Sequence, residues 1–289
     1  MYKKSIIFGT AILIAFIMGC SSNSNDNIVL NESEGVEEST EVVGTSEYAL
    51  EEKVEEATEE QNKEIQEEQS KEIEINETNF PDAIFREYIS NKFDVDNDNI
   101  LSEDEMLNVT EIGVGEKDEY GCFNIDLSDV SDCKGIEFFT NLREFYCMNY
   151  SGVDIDFSSN SELMVLSMDG GQLEELDISN NPNLINVSLN HNTGIKELDF
   201  SNNKKIEIID LYDCSVENII LDNNNNLKDL LLFKTNVMKL DISKCDTVLD
   251  WVENGTKEEI HNEYTDSLSY HGKEDEWLYL NAGVELITE

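Results

Sequence analysis

Positive charge is the scarcest property of this chain: 19 Lys and Arg stand against 64 Asp and Glu, a formal charge of −45 over 289 residues. Nucleic acid is thereby excluded as a partner, because displacing the counterions of phosphates takes Lys and Arg. Anionic lipid surfaces are excluded for the same reason, except through a covalent anchor. Cations and basic partners remain as attractions. Histidine is nearly absent, with only His191, His261 and His271. Neither G-x-S-x-G nor H-E-x-x-H occurs, so no catalytic constellation is placed by pattern. The six cysteines contain no C-x-x-C spacing. With Cys20 set aside, Cys122, Cys133, Cys147, Cys214 and Cys245 are an odd number, which argues against a disulfide framework or a zinc site. Apolar runs of membrane length are missing as well, apart from one short run at the N-terminus.

That run is Ile6 to Met18, behind Lys3 and Lys4. It is short for a bilayer span and suits the apolar region of a signal peptide. It ends in Ile17-Met18-Gly19-Cys20, which resembles the lipobox of bacterial lipoproteins. The resemblance implies removal of residues 1–19 and a diacylglycerol on the Cys20 sulfur, with the membrane as a partner through that lipid. Two or more acyl chains anchor stably where one is marginal. The expected location is the extracellular side of a bacterial cell membrane. Residues 20–74 follow as an acidic tether dominated by glutamate, too charged and too poor in aromatics to build a core.

Residues 75–121 are expected to form a helical N-terminal cap. Phe80-Pro81-Asp82 opens a helix, and Ile84, Phe85, Tyr88, Ile89 and Phe93 recur at helical spacing. The acidic dodecamer that follows carries Asp94, Asp96 and Asp98 at alternating positions. Ile100 offers a backbone carbonyl at the seventh, Ser102 stands at the ninth and Glu105 at the twelfth. Hard oxygen donors in that pattern suit calcium. The stretch resembles the EF-hand and dockerin loop, with Asn99 where the family has glycine; Asn is the next-best residue for a left-handed backbone. A single such loop implies a weak site. Ser102 and Glu105 also make an ordinary capping box.

From residue 122 to 250 the sequence repeats. Leu173-x-x-Leu176-x-Ile178-x-x-Asn181 and Leu184-x-x-Val187-x-Leu189-x-x-Asn192 fit one template, as do five later segments ending at Ile242 and Cys245. Successive anchors lie ten or eleven residues apart, and two kinds of half-repeat alternate, so the coil is about twenty-one residues. The expected fold is a mainly β solenoid of leucine-rich-repeat coils, with residues 251–289 as a C-terminal β cap. The chain resembles bacterial leucine-rich-repeat proteins with nested half-repeats, and Lys134 to Phe145 resembles an internalin-like first repeat. Asn181, Asn192, Asn203 and Asn224 are expected to satisfy backbone groups at the turns.

The two half-repeats differ in what they point outward. One shows Asp156, Asp177, Asp199 and Asp241 with Ser158, Ser179, Ser201 and Ser243. The other shows Tyr146 and Met148, Ser167 and Asp169, Ser188 and Asn190, Asp210 and Tyr212, Leu231 and Phe233. Variety with aromatics is what a recognition surface uses. The expected function is therefore binding of a protein partner, basic in character, or of a glycan. Catalysis is not expected. The rival expectation is an envelope-associated enzyme or enzyme accessory acting on cell-wall or dietary glycan. It requires a deep pocket and a perturbed carboxylate pair near Trp251 or Trp277.

Overall fold

A computed structural model describes residues 71–117, 123–261, 266–272 and 276–289. The expected signal peptide, Cys20, Cys122 and the tether up to residue 70 lie outside the described residues. Among the described residues no helix is long and apolar enough to cross a membrane.

The chain enters through β1 (Ile73–Glu74), α1 (Ala83–Phe93), β2 (Ile100–Leu101) and α2 (Glu103–Asn108). Asp82 caps α1, its Oδ1 accepting from the Ile84 and Phe85 amides at 2.9 Å each. Its other oxygen accepts from Ser131 N at 3.0 Å and Ser131 Oγ at 2.7 Å. One side chain thus starts the helix and fastens it to the first coil. Phe85 and Ile89 of α1 are buried, and Phe80 meets Phe138 edge-on at 5.8 Å, so aromatic rings close the N-terminal end of the core. Next come β3 (Glu111–Ile112) and the antiparallel pair β4 (Val114–Lys117) and β5 (Phe123–Ile125).

The repeats then wind as flattened coils. One face is built from β6 (Glu144–Met148), β7 (Val165–Asp169), β8 (Asn186–Ser188), β10 (Ile208–Asp210) and β12 (Asp229–Leu232). The other carries β9 (Glu197–Asp199), β11 (Asn218–Ile220) and β13 (Lys239–Asp241). Phe145, Leu166, Val187, Ile209 and Leu230 stand in parallel register and all are buried. A lone coil cannot bury such a row; stacking buries it, at about 1.5–3 kcal/mol for each large apolar side chain.

Asparagine spaces the coils. Asn181 Nδ2 donates to the carbonyls of Phe157 at 3.0 Å and Asn160 at 2.9 Å, both in the coil before, and Asn203 and Asn224 repeat the pattern. Asn160 begins this series, and the Cys245 thiol ends it against Asn224 O at 3.4 Å. Asn192 belongs to a different edge, where its amide holds Met168 O and Leu189 O. The row read from sequence as one ladder is therefore two, because the half-repeats turn at opposite edges.

Beyond α3 (Asp246–Asn254) lie β14 (Thr256–His261), β15 (Asp266–His271), β16 (Trp277–Asn281) and β17 (Glu285–Ile287). β16 joins β12 in parallel, with Leu278 opposite Leu230, and β17 joins β13 in the same way. The last residues thus form one more coil before β15 and β14 run antiparallel along its edge, giving a nine-stranded sheet on one face. On the opposite face β9 pairs with β11 and β13 with β17, but β11 and β13 are not hydrogen-bonded to each other.

Candidate functional site

Two places carry candidate chemistry. The first is the loop between α1 and α2, where carboxylate oxygens of Asp94, Asp96 and Asp98 come within 4.8 Å of one another. Asp94 is 5% exposed. Its oxygens accept from the amides of Asp98 at 3.1 Å and Asn99 at 3.0 Å, which folds the loop around it. Asn97 and Asn99 take left-handed backbones, with φ of 60° and 65°. Asn99 therefore adopts the conformation for which glycine is the usual choice. No Lys or Arg forms an ion pair with these aspartates among the described residues. Glu105 stands outside the group: Oε1 accepts from Val95 N at 2.7 Å, and Oε2 from Ser102 N at 2.9 Å and Ser102 Oγ at 2.8 Å. Burial works to raise the Glu105 carboxyl, but these hydrogen bonds outweigh it and hold it below its ordinary value. β2 pairs with β1, and Ile75 N donates to Asn99 O at 2.9 Å. A cluster of hard oxygens on a braced loop fits calcium; Glu105 would have to turn from its capping bonds to join it.

The second place is the nine-stranded face. Register puts Tyr146, Ser167, Ser188, Asp210, Leu231 and Tyr279 in one outward row. Met148 and Asp169 begin a second row that continues through Asn190, Tyr212 and Phe233. Five of the expected outward residues form one network. Ser188 Oγ and Asn190 N donate to Asp169 Oδ1 at 2.9 and 3.1 Å. Asn190 Nδ2 donates to Asp210 Oδ2 at 3.0 Å, and Tyr212 N donates to Asn190 Oδ1 at 2.8 Å and Asp210 Oδ1 at 3.2 Å.

These outward residues were expected to be accessible, and several are not. Asn190 is 4% and Asp210 6% exposed, and Ser188 is buried with them. They are short side chains that bond to one another across neighbouring strands and so lie low in the face. Burial pushes the Asp210 carboxyl up to about 6, with hydrogen bonds from Asn190 and Tyr212 opposing it. Burial also raises Asp169, against hydrogen bonds from Ser188 and Asn190. Neither carboxylate has a Lys or Arg within ion-pair distance among the described residues.

Tyr212 stands above this floor. Its ring stacks on Phe233 at 5.9 Å and meets His191 edge-on at 5.3 Å. Lys234 Nζ donates to Tyr212 Oη at 2.8 Å and lies 5.0 Å from the ring centroid. Met148 is exposed at the N-terminal end, and Tyr146 is half-buried with its hydroxyl donating to Glu144 at 2.9 Å. Leu231 and Phe233 are half-buried. The C-terminal residues extend this face instead of covering it: Trp277 and Tyr279 of β16 stack at 5.6 Å beside Leu231. The sequence assigns Trp277 to Leu280 to short strands of the C-terminal cap and does not count this pair with the face, although Trp277-Leu278-Tyr279-Leu280 has the alternation of the strands before it. Sequence reasoning missed a recurring left-handed turn position at Asn149, Gly170, His191, Asp213 and Lys234.

The Asp–Ser face is committed to itself. Asp156, Asp177, Asp199 and Asp241 each accept from the amide of the serine two residues on, at 2.7 to 3.0 Å. A cleft of about 820 Å³ opens on this side between β11 and β13, lined by Ile219, Met238, Lys239 and Ile287 among others. At Trp251 the indole N–H donates to Glu276 at 2.8 Å, and Trp277 packs on His271. The two raised aspartates lie elsewhere, on the sheet face.

No protein-family model matches the chain. No curated protein matches it either. Among solved structures it is similar to the functional domain of InlJ from Listeria monocytogenes, which includes a cysteine ladder: 17% identity, 61% of this chain and 46% of that one, TM-score 0.34. It is also similar to an internalin (inlF) from Listeria monocytogenes: 20% identity, 58% of this chain and 52% of that one, TM-score 0.35. The chain spans about half the length of these two structures.

Proposed function

We propose that this chain is a leucine-rich-repeat lipoprotein, held at the outer side of a bacterial membrane through Cys20, that binds a protein partner on its nine-stranded face. The contrast between the two faces carries the reading. Every aspartate of the repeating face is used to hold its own turn. The other face changes at every coil and presents Tyr212, Phe233, Trp277 and Tyr279 over a hydrogen-bonded floor. Partly buried aromatics on a rigid sheet serve binding at little entropic cost. Calcium, in this reading, staples the N-terminal cap. Asp94, Asp96, Asp98 and the Ile100 carbonyl would hold it, with Ser102 and Glu105 completing the shell. Bound there, it supplies a cross-link between α1 and α2 and takes no part in covalent chemistry.

The experiment uses the intact lipoprotein displayed on cells and captures surface proteins in parallel with variants. Wild type and Ser179→Ala are expected to retain the same partner, and Tyr212→Ala to lose about 1–2 kcal/mol of affinity or more. Equal loss from Ser179→Ala would move the site to the opposite face. Cys20→Ser is expected to release the protein to the medium or leave it unprocessed; a processed, membrane-bound Cys20→Ser protein would end the lipoprotein part of the reading.

A further inference from the structure

The row of left-handed turn residues beside the sheet runs Asn149, Gly170, His191, Asp213, Lys234, one per coil. Gly, Asn and Asp accept a positive φ readily; His and Lys do so at a cost. Such costs persist where the surroundings enforce them, and they cluster at functional sites. Lys234 has a φ of 60°, and its amide is pinned by donating to Asn281 Oδ1 at 2.8 Å. Its ammonium is thereby held at the hydroxyl edge of Tyr212, 2.8 Å from the oxygen and 5.0 Å from the ring centroid.

Around this ring the charge is one-sided. Asp210 accepts from the Tyr212 amide, Asp169 lies one hydrogen bond further along through Asn190, and Asp213 follows directly in the chain. Neither Asp169 nor Asp210 has a Lys or Arg at ion-pair distance among the described residues, and the positive charge nearest to both is that of His191. The one ammonium at the ring is the chain's own. A buried carboxylate, Asp210, and a half-buried one, Asp169, beside an aromatic platform attract a cation both electrostatically and through the ring face. A second copy of this chain is a poor occupant, since two bodies of formal charge −45 repel.

We propose that Lys234 is an internal stand-in for the ligand: the Tyr212–Phe233 platform receives a lysine or arginine side chain from an extended basic segment of the partner, which displaces Lys234. This rests on the sheet face being the binding face, as proposed above, and names the chemistry that it reads. Lys234 then acts as a built-in competitor, and removing it strengthens binding.

The test measures a fluorescent octalysine peptide against the full chain at fixed low salt, with octaglutamate and cellohexaose as the other probes. Tyr212→Leu removes no charge and is expected to weaken octalysine about three- to thirtyfold. Lys234→Met is expected to tighten it about three- to tenfold. Lys196→Met, which removes the same charge beside Glu217, should change it less than twofold. Tyr212→Phe keeps the ring, frees Lys234 of its hydroxyl partner and should bind as tightly as wild type or tighter. It covers the case in which Tyr212→Leu does not fold. Equal gains from Lys234→Met and Lys196→Met would reduce the effect to overall charge and overturn the proposal. Tyr212-dependent binding of cellohexaose instead of octalysine would overturn it while leaving the sheet face as the binding face. Binding of every probe without regard to Tyr212 would overturn both.

Discussion

Burying a carboxylate without a cation costs free energy, and Asp210 carries that cost openly. Burial moves it from 3.8 to about 6, a difference worth about 3 kcal/mol between its protonation states. The titratable groups facing it are Asp169 from β7, His191 beyond β8 and Cys214 beyond β10. A raised carboxyl favours the folded state only while protonated. Its contribution is complete below about 3.8 and is lost as pH rises through about 6. Asp210→Asn keeps the shape and removes the titration. It is expected to raise the melting temperature relative to wild type at pH 7.5 and to melt with it at pH 4. A variant that melts lower than wild type at pH 7.5 would show that the hydrogen bonds from Asn190 and Tyr212 outweigh the charge. At this scale the sequence was half legible. The period of two says that Asn190 and Asp210 point outward, but not that they bond to each other and to Asp169 and lie low in the face, because those partners stand in other coils.

The loop from Asp94 to Glu105 is the element whose stability depends most on solution conditions. Three aspartates held within 4.8 Å repel one another, so a divalent ion that binds only the folded loop adds RT ln(1 + [L]/Kd), about 1.4 kcal/mol at ten times Kd. Melting in 5 mM calcium is expected to exceed melting in chelator by several degrees. Asp94→Ala should remove the difference. An identical midpoint in wild type with and without calcium would leave Ser102 and Glu105 as a helix cap and nothing more. Elements differed in how well they could be read. The aliphatic anchors from Phe145 to Leu240 announce their register because a coil repeats every twenty-one or twenty-two residues along this chain. β1 and β2 are two residues each, too short to show a period, and their pairing joins segments twenty-seven residues apart. β16 is legible as a strand but not as part of the face: α3 and a hairpin interrupt the repeat, so its alternation reads as an isolated cap.

At the scale of the whole molecule, charge and fold act at different ranges. The formal charge of −45 speeds encounter with a basic partner at low salt and loses that reach within about a Debye length as salt rises. The stacked coils decide what happens on contact. Their stacking is uneven, since the nine-stranded face is hydrogen-bonded throughout whereas β11 and β13 are not joined to each other. The gap is closed at its ends, by Asn236 N to Val216 O at 2.9 Å and by Asn223 N to Lys244 O at 2.7 Å. A stack with one continuous side and one slit is expected to flex, where it flexes at all, at the slit. Flexing there would turn about the line between β10 and β12, the strands that lead into Tyr212 and Phe233. Amides hydrogen-bonded beside the slit, those of Asn218 and Glu285, should therefore exchange with solvent faster than the hydrogen-bonded amides of Ile208 and Asp229 on the continuous side. Equal protection on both sides would mean a rigid rod. Unequal protection would make the spacing of the two stacked rings adjustable, so that a partner pressing them apart or together flexes the far side of the molecule.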